Sequence, residues 1–465
     1  MKDKQIEVFE SDNIWKSIFS MVGPALIAIL VMLVYNLADM IFVGQTGETA
    51  QVAAISVVSP IFNMIMAVAM LISGGGSVII ARDLGSKDIE HAKMSASLCM
   101  WGAVICGMIS GAIIIAAHNP LLVFLGATED IAEYAKDYMI ILALGAPFLL
   151  ITNMLAQLLR AEGAVKEGLI GNLLGTIINI ILDPIFILGF HMGVIGAAVA
   201  TVLGNMIATI YFAYYLKKKA IVVNMSPFYA KKNPIYIFPI MSLGLPNAIS
   251  TLLSGLANSF ANQLLGKYGS DSIAANAAAG RVNMIIVMVL MGICMGAQPL
   301  ISYNYGADKI KKLAGVMKRL IILTVGVGVV TTVFVILYRG SIIGLFLKAE
   351  EVAKMAEDIL TILMISSPFL GFFFLATNFL QATGKVVQAT IISAMQKGLV
   401  LIPALYILEK LLGFLGIRLA YVTADFISII TGSILLILAW RSISLTHEKS
   451  KKTYIQNEEE SVVVS

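Results

Sequence analysis

Along the chain, long apolar runs alternate with short polar breaks. The runs are continuous, so they read as helices; the strands of a β-barrel pore would instead alternate lipid-facing and lumen-facing residues. Breaks at Gly, Pro and charged positions divide the chain into twelve predicted helices, at residues 16–43, 52–81, 94–117, 133–159, 167–189, 193–216, 235–266, 272–303, 313–338, 353–380, 386–408 and 416–441. A bilayer takes roughly 20 apolar residues per helix, and each run meets that length. The predicted fold class is all-α: a polytopic membrane protein with twelve transmembrane helices.

Composition excludes the main alternatives. Of 465 residues, 59% are hydrophobic and 13% charged, with a mean hydropathy of +0.91. A soluble domain carries about a quarter charged residues, so too little polar surface remains for a water-facing globule. The net charge of +4 is spread over short loops, which removes the electrostatic case for a nucleic-acid partner. Where the cations fall sets orientation, because cytoplasmic loops hold an excess of Lys and Arg. With the N-terminus inside, inner segments hold 23 Lys and Arg and outer segments 7, while Arg281 and Lys397 lie within spans. Both termini are therefore expected on the cytoplasmic side of a bacterial inner membrane. Trp15, Trp101 and Trp440 fall near inner helix ends, as interfacial anchors do. Cys99, Cys106 and Cys294 are scattered through apolar runs and read as packing residues.

The sequence also repeats. At an offset near 221, Gly23-Pro24 meets Leu245-Pro246, Asn36 meets Asn258, Gly44 meets Gly266, and Pro147 meets Pro368. Further on, Arg160-Ala161-Glu162-Gly163 meets Gln381-Ala382-Thr383-Gly384. Two sets of six helices follow, and because six is even the halves share one orientation, related by an axis along the membrane normal. The expected division is an N-lobe at 1–217, a cytoplasmic linker at 218–234, a C-lobe at 235–441 and a cytoplasmic tail at 442–465.

Few ionisable groups lie within spans, and such groups mark sites or pathways by default. Asp39 ends the first helix about 7 Å from its outer end, close enough to water to be merely solvated. In GNLLGTIINIILDPIFIL, Asn179 and Asp183 stand four residues apart on one face of helix five. Pro184 frees the carbonyl of Ile180 and bends the axis. Thr201 on helix six lies at a matching depth, about 12 Å from the outer end. Two carboxylates with an amide and a hydroxyl in one layer are what a shared proton or a Na⁺ requires; four separately satisfied polar groups are the alternative. The repeat partners of Asp39 and Asp183 are Ala261 and a position near Pro403, so the C-half lacks this pair. It offers Arg281 and Asp425 at similar depth, a candidate buried ion pair, structural or functional. Gly74-Gly75-Gly76 lacks a following Lys-Ser/Thr and reads as helix packing, as do Gly107 with Gly111, Gly171 with Gly175 and Gly292 with Gly296.

These residues resemble the bacterial multidrug and toxic compound extrusion (MATE) family in its MepA-type, DinF-like branch. The resemblance runs from about Trp15 to Trp440. It rests on GPALIAILVMLVYNLADMIFVG, the LRAEG of 159–163, NIILDPIFI at 179–187, and GVIGAAVATVLGN at 193–205. It implies a cation-coupled drug antiporter of two six-helix lobes, with a proton or Na⁺ site at Asp39, Asn179, Asp183 and Thr201. The substrate cavity would draw on Tyr35, Asn36, Asn153, Asn258, Arg281 and Asp425. Another branch uses acidic residues on helices seven and ten, where this chain has Asn258, Asn262, Asn378 and Gln381. The expected substrates are amphipathic, often cationic organic molecules, with membrane lipid as surroundings, no cofactor and a monomeric assembly. The alternative is a flippase for lipid-linked oligosaccharides on the same scaffold, which would need more cavity cations than Arg281 and Lys397 to hold a diphosphate. An intramembrane enzyme lacks any His-Glu-x-x-His or Gly-x-Ser-x-Gly motif in this sequence.

Overall fold

The computed structural model describes residues 2–44, 49–347 and 349–463. The described chain is almost entirely helical. Short α1 (Lys2–Glu10) precedes α2 (Ile14–Gly44), α3 (Thr49–Gly85), α4 (Ile89–Ala116), short α5 (His118–Phe124) and α6 (Glu129–Ala161). Then come α7 (Val165–Pro184), a π turn over Ile185–Gly189, α8 (Gly193–Lys219) and, in the linker, short α9 (Pro227–Lys232). The second half has α10 (Ile237–Gly266), α11 (Ser270–Gly306), α12 (Ile310–Gly344), α13 (Glu350–Leu363) and α14 (Ser367–Ala382). It ends with α15 (Val386–Ala394), a π turn over Met395–Leu399, α16 (Leu401–Leu412) and α17 (Phe414–Val463).

Eleven described helical segments are long and apolar enough to cross a membrane, and α13 with α14, bent by 49°, makes up to twelve. The sequence predicts that bent pair as one straight helix. It breaks because Pro368, in the first turn of α14, has no N–H to continue the ladder and disfavours a helical residue before it. Proline also shapes α7, where the regular helix ends at Pro184 and wider π geometry follows. Helix α17, an apolar span over Phe414–His447, runs on through the expected tail as one helix to Val463.

Helices α3 and α11 tie the halves together. Helix α3 packs on α4 and α6 within its own half and on α10 and α11 across the divide, while α11 also packs on α2. Gly75 and Gly244 make the closest approach: a Cβ on Gly75 would fall inside the Ile240 carbonyl, and one on Gly244 inside the Leu71 carbonyl. Farther along α3, Gly85 lies against the Tyr303 backbone of α11, and Gly306 of α11 against Arg82. The Gly74–Gly76 run is helix packing, as its sequence context predicts.

The end of the bundle where the halves seal also gathers the chain ends and the linker. Glu10 accepts from the Tyr303 hydroxyl at 3.1 Å and from Lys309 at 3.3 Å. Near the other end of the chain, His447 Nδ1 lies 3.0 Å from Asp308. The linker is held by Asn224 donating to the Lys93 carbonyl at 3.0 Å and by Lys232 pairing with Glu90 at 3.0 Å. Its exposed Lys231 allows a test of side. In a chain whose native cysteines are changed to alanine, Lys231→Cys is expected to resist an impermeant maleimide on intact cells and to react in inverted vesicles. Labelling of intact cells would reverse the orientation.

Candidate ion and substrate site

The α7–α8 crossing is built on two glycines. A Cβ on Gly175 would stand 3.0 Å from the Gly204 carbonyl, and one on Gly204 would meet the Gly175 carbonyl and, at 3.3 Å, Asn179 Cβ. Without side chains there, the helices come close enough for one-turn-away polar groups to meet in a dry interface. Asp183 is fully buried, and Asn179 and Thr201 nearly so. With its amide turned so that both ends find partners, Asn179 Nδ2 donates to Asp183 Oδ2 at 3.0 Å and its Oδ1 accepts from Thr201 Oγ1 at 3.3 Å. Behind them, Asn205 donates to the Thr201 carbonyl at 2.9 Å, and Thr152 on α6 donates to the Asn205 carbonyl at 3.0 Å. One carboxylate, one amide oxygen and one hydroxyl therefore share a single buried pocket of oxygen donors, a set suited to a proton or a hard monovalent cation. Helix α2 packs directly on α7. Asp39 lies on α2, but its side chain, with those of Tyr35 and Asn36, falls outside the described residues.

The other sequence candidates are dispersed. Asn153 on α6 accepts from Gln157 at 3.3 Å, and Gln157 reaches Ser73 on α3 at 2.9 Å, so this pair bridges two N-half helices. Asn258 and Asn262 are exposed on α10, whereas Asn378 is buried and donates to the Phe374 carbonyl of its own helix at 2.9 Å. Gln381, fully buried, donates to the Leu243 carbonyl and accepts from Gln298 at 2.7 Å, stitching α10, α11 and α14.

Arg281 and Asp425 require a correction. Arg281 is exposed on α11, and the two do not form an ion pair within 4.0 Å among the described residues. Asp425 instead accepts from Ser366 at 2.7 Å and Gln396 at 3.0 Å, and Lys397 supplies the facing charge. Equal depth from helix ends placed Arg281 and Asp425 in one layer but not on facing sides; the π turn rotates Lys397 and Gln396 toward α17 instead. Nothing in the sequence marks that turn.

Sequence reasoning also passed over Glu162, in the bend between α6 and α7. Its side chain is wholly buried, and one oxygen, Oε2, accepts the backbone N–H groups of Ile221 at 3.2 Å, Val222 at 3.1 Å and Val223 at 3.1 Å. Oε1 has no partner among the described residues. Burial pushes the carboxyl up to about 7, against the downward pull of the three amides. The available signal was the acid in LRAEG, an ionisable residue in a motif used only for the repeat and the resemblance.

Comparison with known proteins bears on the whole chain. The MatE family model matches twice, at residues 24–185 and 246–407, in register with the internal repeat. "Multidrug export protein MepA" of Staphylococcus saprophyticus subsp. saprophyticus is 32% identical over 438 residues, covering 94% of this chain and 97% of the relative. A protein of the same name from Staphylococcus aureus strain COL is 32% identical over 426 residues, covering 91% and 94%. Among solved structures, "Crystal structure of MATE in the bent conformation" aligns with a TM-score of 0.89 at 24% identity, over 96% of this chain and 99% of that one. "Outward-facing conformation of a multidrug resistance MATE family transporter of the MOP superfamily" aligns with a TM-score of 0.87 at 25% identity, over 95% and 98%. Two matched copies of one family model, at the spacing of the repeat and over more than half its length, establish that the chain belongs to the MatE family.

Proposed function

We propose that this chain is a secondary active multidrug efflux transporter that exchanges amphipathic, often cationic organic molecules for H⁺ or Na⁺. The observation that carries the reading is the buried Asp183–Asn179–Thr201 cluster, a carboxylate removed from water inside one lobe. Its relatives' names, as export proteins, point the same way. Taking the linker end as cytoplasmic, the contact at Gly75 and Gly244 closes the halves against each other toward that side, which we read as the outward-facing state of the cycle. Drug leaves and the coupling ion enters in that state. The ion must then bind one facing better than the other, because a ligand shifts a conformational equilibrium only by its difference in affinity.

In proteoliposomes, an imposed inward-directed H⁺ or Na⁺ gradient is expected to drive efflux of a fluorescent organic cation, and the gradient that works names the ion. Efflux that needs neither gradient would sink the antiport reading. The seal can be tested separately. Gly244→Ala forces a methyl into the Leu71 backbone, which cannot retreat far, and overpacking of this kind costs about 1–3 kcal/mol. Spin labels at Ser86 and Lys385, which line a cleft where the halves meet, are expected to show a roughly tenfold shift toward longer distances. An unchanged distribution would place the moving contact elsewhere.

A further inference from the structure

A cleft of about 960 Å³ opens at the linker end of the N-lobe, between α1 and α2 on one side and α7 and α8 on the other. Its lining includes Lys16, Lys166, Lys217, Lys218 and Lys219, and none of these makes an ion pair within 4.0 Å among the described residues. Two acids, Glu7 and Glu167, share the lining, and Glu167 is taken up by the Tyr211 hydroxyl at 2.5 Å. Five lysines against these two acids leave the lining with an excess of positive charge. Its rim also contains the start of α7, which has no side-chain cap, so the positive end of a long helix dipole faces the same space. A second observation is polar. Ser17 lines the cleft, is almost wholly buried, and its hydroxyl has no hydrogen-bond partner among the described residues.

Charge and donors of this kind fit a phosphate group, and the position selects its source. The lysines of α8 stand at its polar end, where the apolar span gives way to the linker. On the same helices, Phe19, Ile170 and Ile210 are apolar residues left exposed along the spans. A headgroup in the cleft can thus keep its acyl chains beside apolar surface, which free phosphate cannot use. We propose that this cleft binds the phosphodiester headgroup of an anionic phospholipid in the leaflet at the linker end. Ala220 lines the cleft and precedes the three linker amides held by Glu162, so an occupant braces the place where the linker leaves the N-lobe.

The test compares purified protein in phosphatidylcholine nanodiscs titrated with phosphatidylglycerol, read by native mass spectrometry and by the thermal unfolding midpoint. Basic residues near a membrane surface are worth about 1 kcal/mol each, or about fivefold in affinity. The triple variant Lys217→Gln, Lys218→Gln, Lys219→Gln is expected to weaken phosphatidylglycerol retention on the order of a hundredfold. The control triple Lys231→Gln, Lys311→Gln, Lys318→Gln, outside this cleft, is expected to retain it. Equal loss in both triples would mean diffuse charge attraction and overturn the site. An equal shift with inorganic phosphate would overturn the lipid as its source. Because the cleft triple could fold poorly, Ser17→Ala is run beside it: weaker retention with an unchanged midpoint in phosphatidylcholine alone supports the site, and unchanged retention in both variants overturns it.

Discussion

Asp183→Asn is expected to reach the membrane folded and to lose gradient-driven export by about a hundredfold, the upper end of ordinary coupling free energies. The substitution keeps the volume and one acceptor, so the contact with Asn179 survives in altered form. What it removes is the charge. A neutral amide can neither exchange a proton nor hold Na⁺ by charge, so the ion gradient loses its grip on the lobe. Drug binding is expected to persist, because Asp183 is not among the residues expected to form the substrate cavity. Thr201→Ala makes the milder comparison: it removes one neutral donor from Asn179 and should lower apparent ion affinity several-fold without abolishing transport. Export by Asp183→Asn at the unmodified rate, with equal protein in the membrane, would remove this cluster from the coupling mechanism.

The helices were legible because a bilayer reads composition directly. Continuous apolar runs such as 193–216 need no knowledge of their neighbours to be assigned, and α8 at Gly193–Lys219 follows that run closely. Asn179 and Asp183 were equally legible, since a four-residue spacing puts side chains on one helical face whatever surrounds them. Thr201 joined them through depth matching, which succeeded because Gly175 and Gly204 let α7 and α8 touch at that level. The same depth argument failed for Arg281 and Asp425. Depth fixes one coordinate and leaves rotation about each helix free, and the π turn at Met395–Leu399 changes rotation without leaving a composition signal. The break between α13 and α14 was legible in principle from Pro368, yet the apolar run across it hides the interruption. Glu162 was missed for a different reason. Its partners are backbone amides about sixty positions away in sequence, and amides carry no residue identity.

Glu162→Ala is expected to release the linker from the N-lobe. Three backbone donors at Ile221, Val222 and Val223 converge on one carboxyl oxygen, and a typical intramolecular hydrogen bond contributes about 0.5–1.5 kcal/mol net. Allowing for re-solvation of the freed amides, a local loss of about 3 kcal/mol should lower their hydrogen-exchange protection by on the order of a hundredfold. The pH dependence has a definite sign. Because burial raises this carboxyl from 4.5 to about 7, the closed clamp binds the proton more tightly than the open one. Closing is therefore most favourable below about pH 4.5, weakens as pH rises toward 7, and is level above that, a change of about 3 kcal/mol across the window. Exchange of the three amides, corrected for intrinsic rates between pH 5 and 8, should show the clamp loosening on the alkaline side. Glu162→Gln stays neutral throughout and keeps an acceptor, so its profile should be flat. A clamp that tightens with rising pH, or an identical slope in the Gln variant, would show that the amide donors outweigh burial, and that the linker is held by an ionised carboxylate at every working pH.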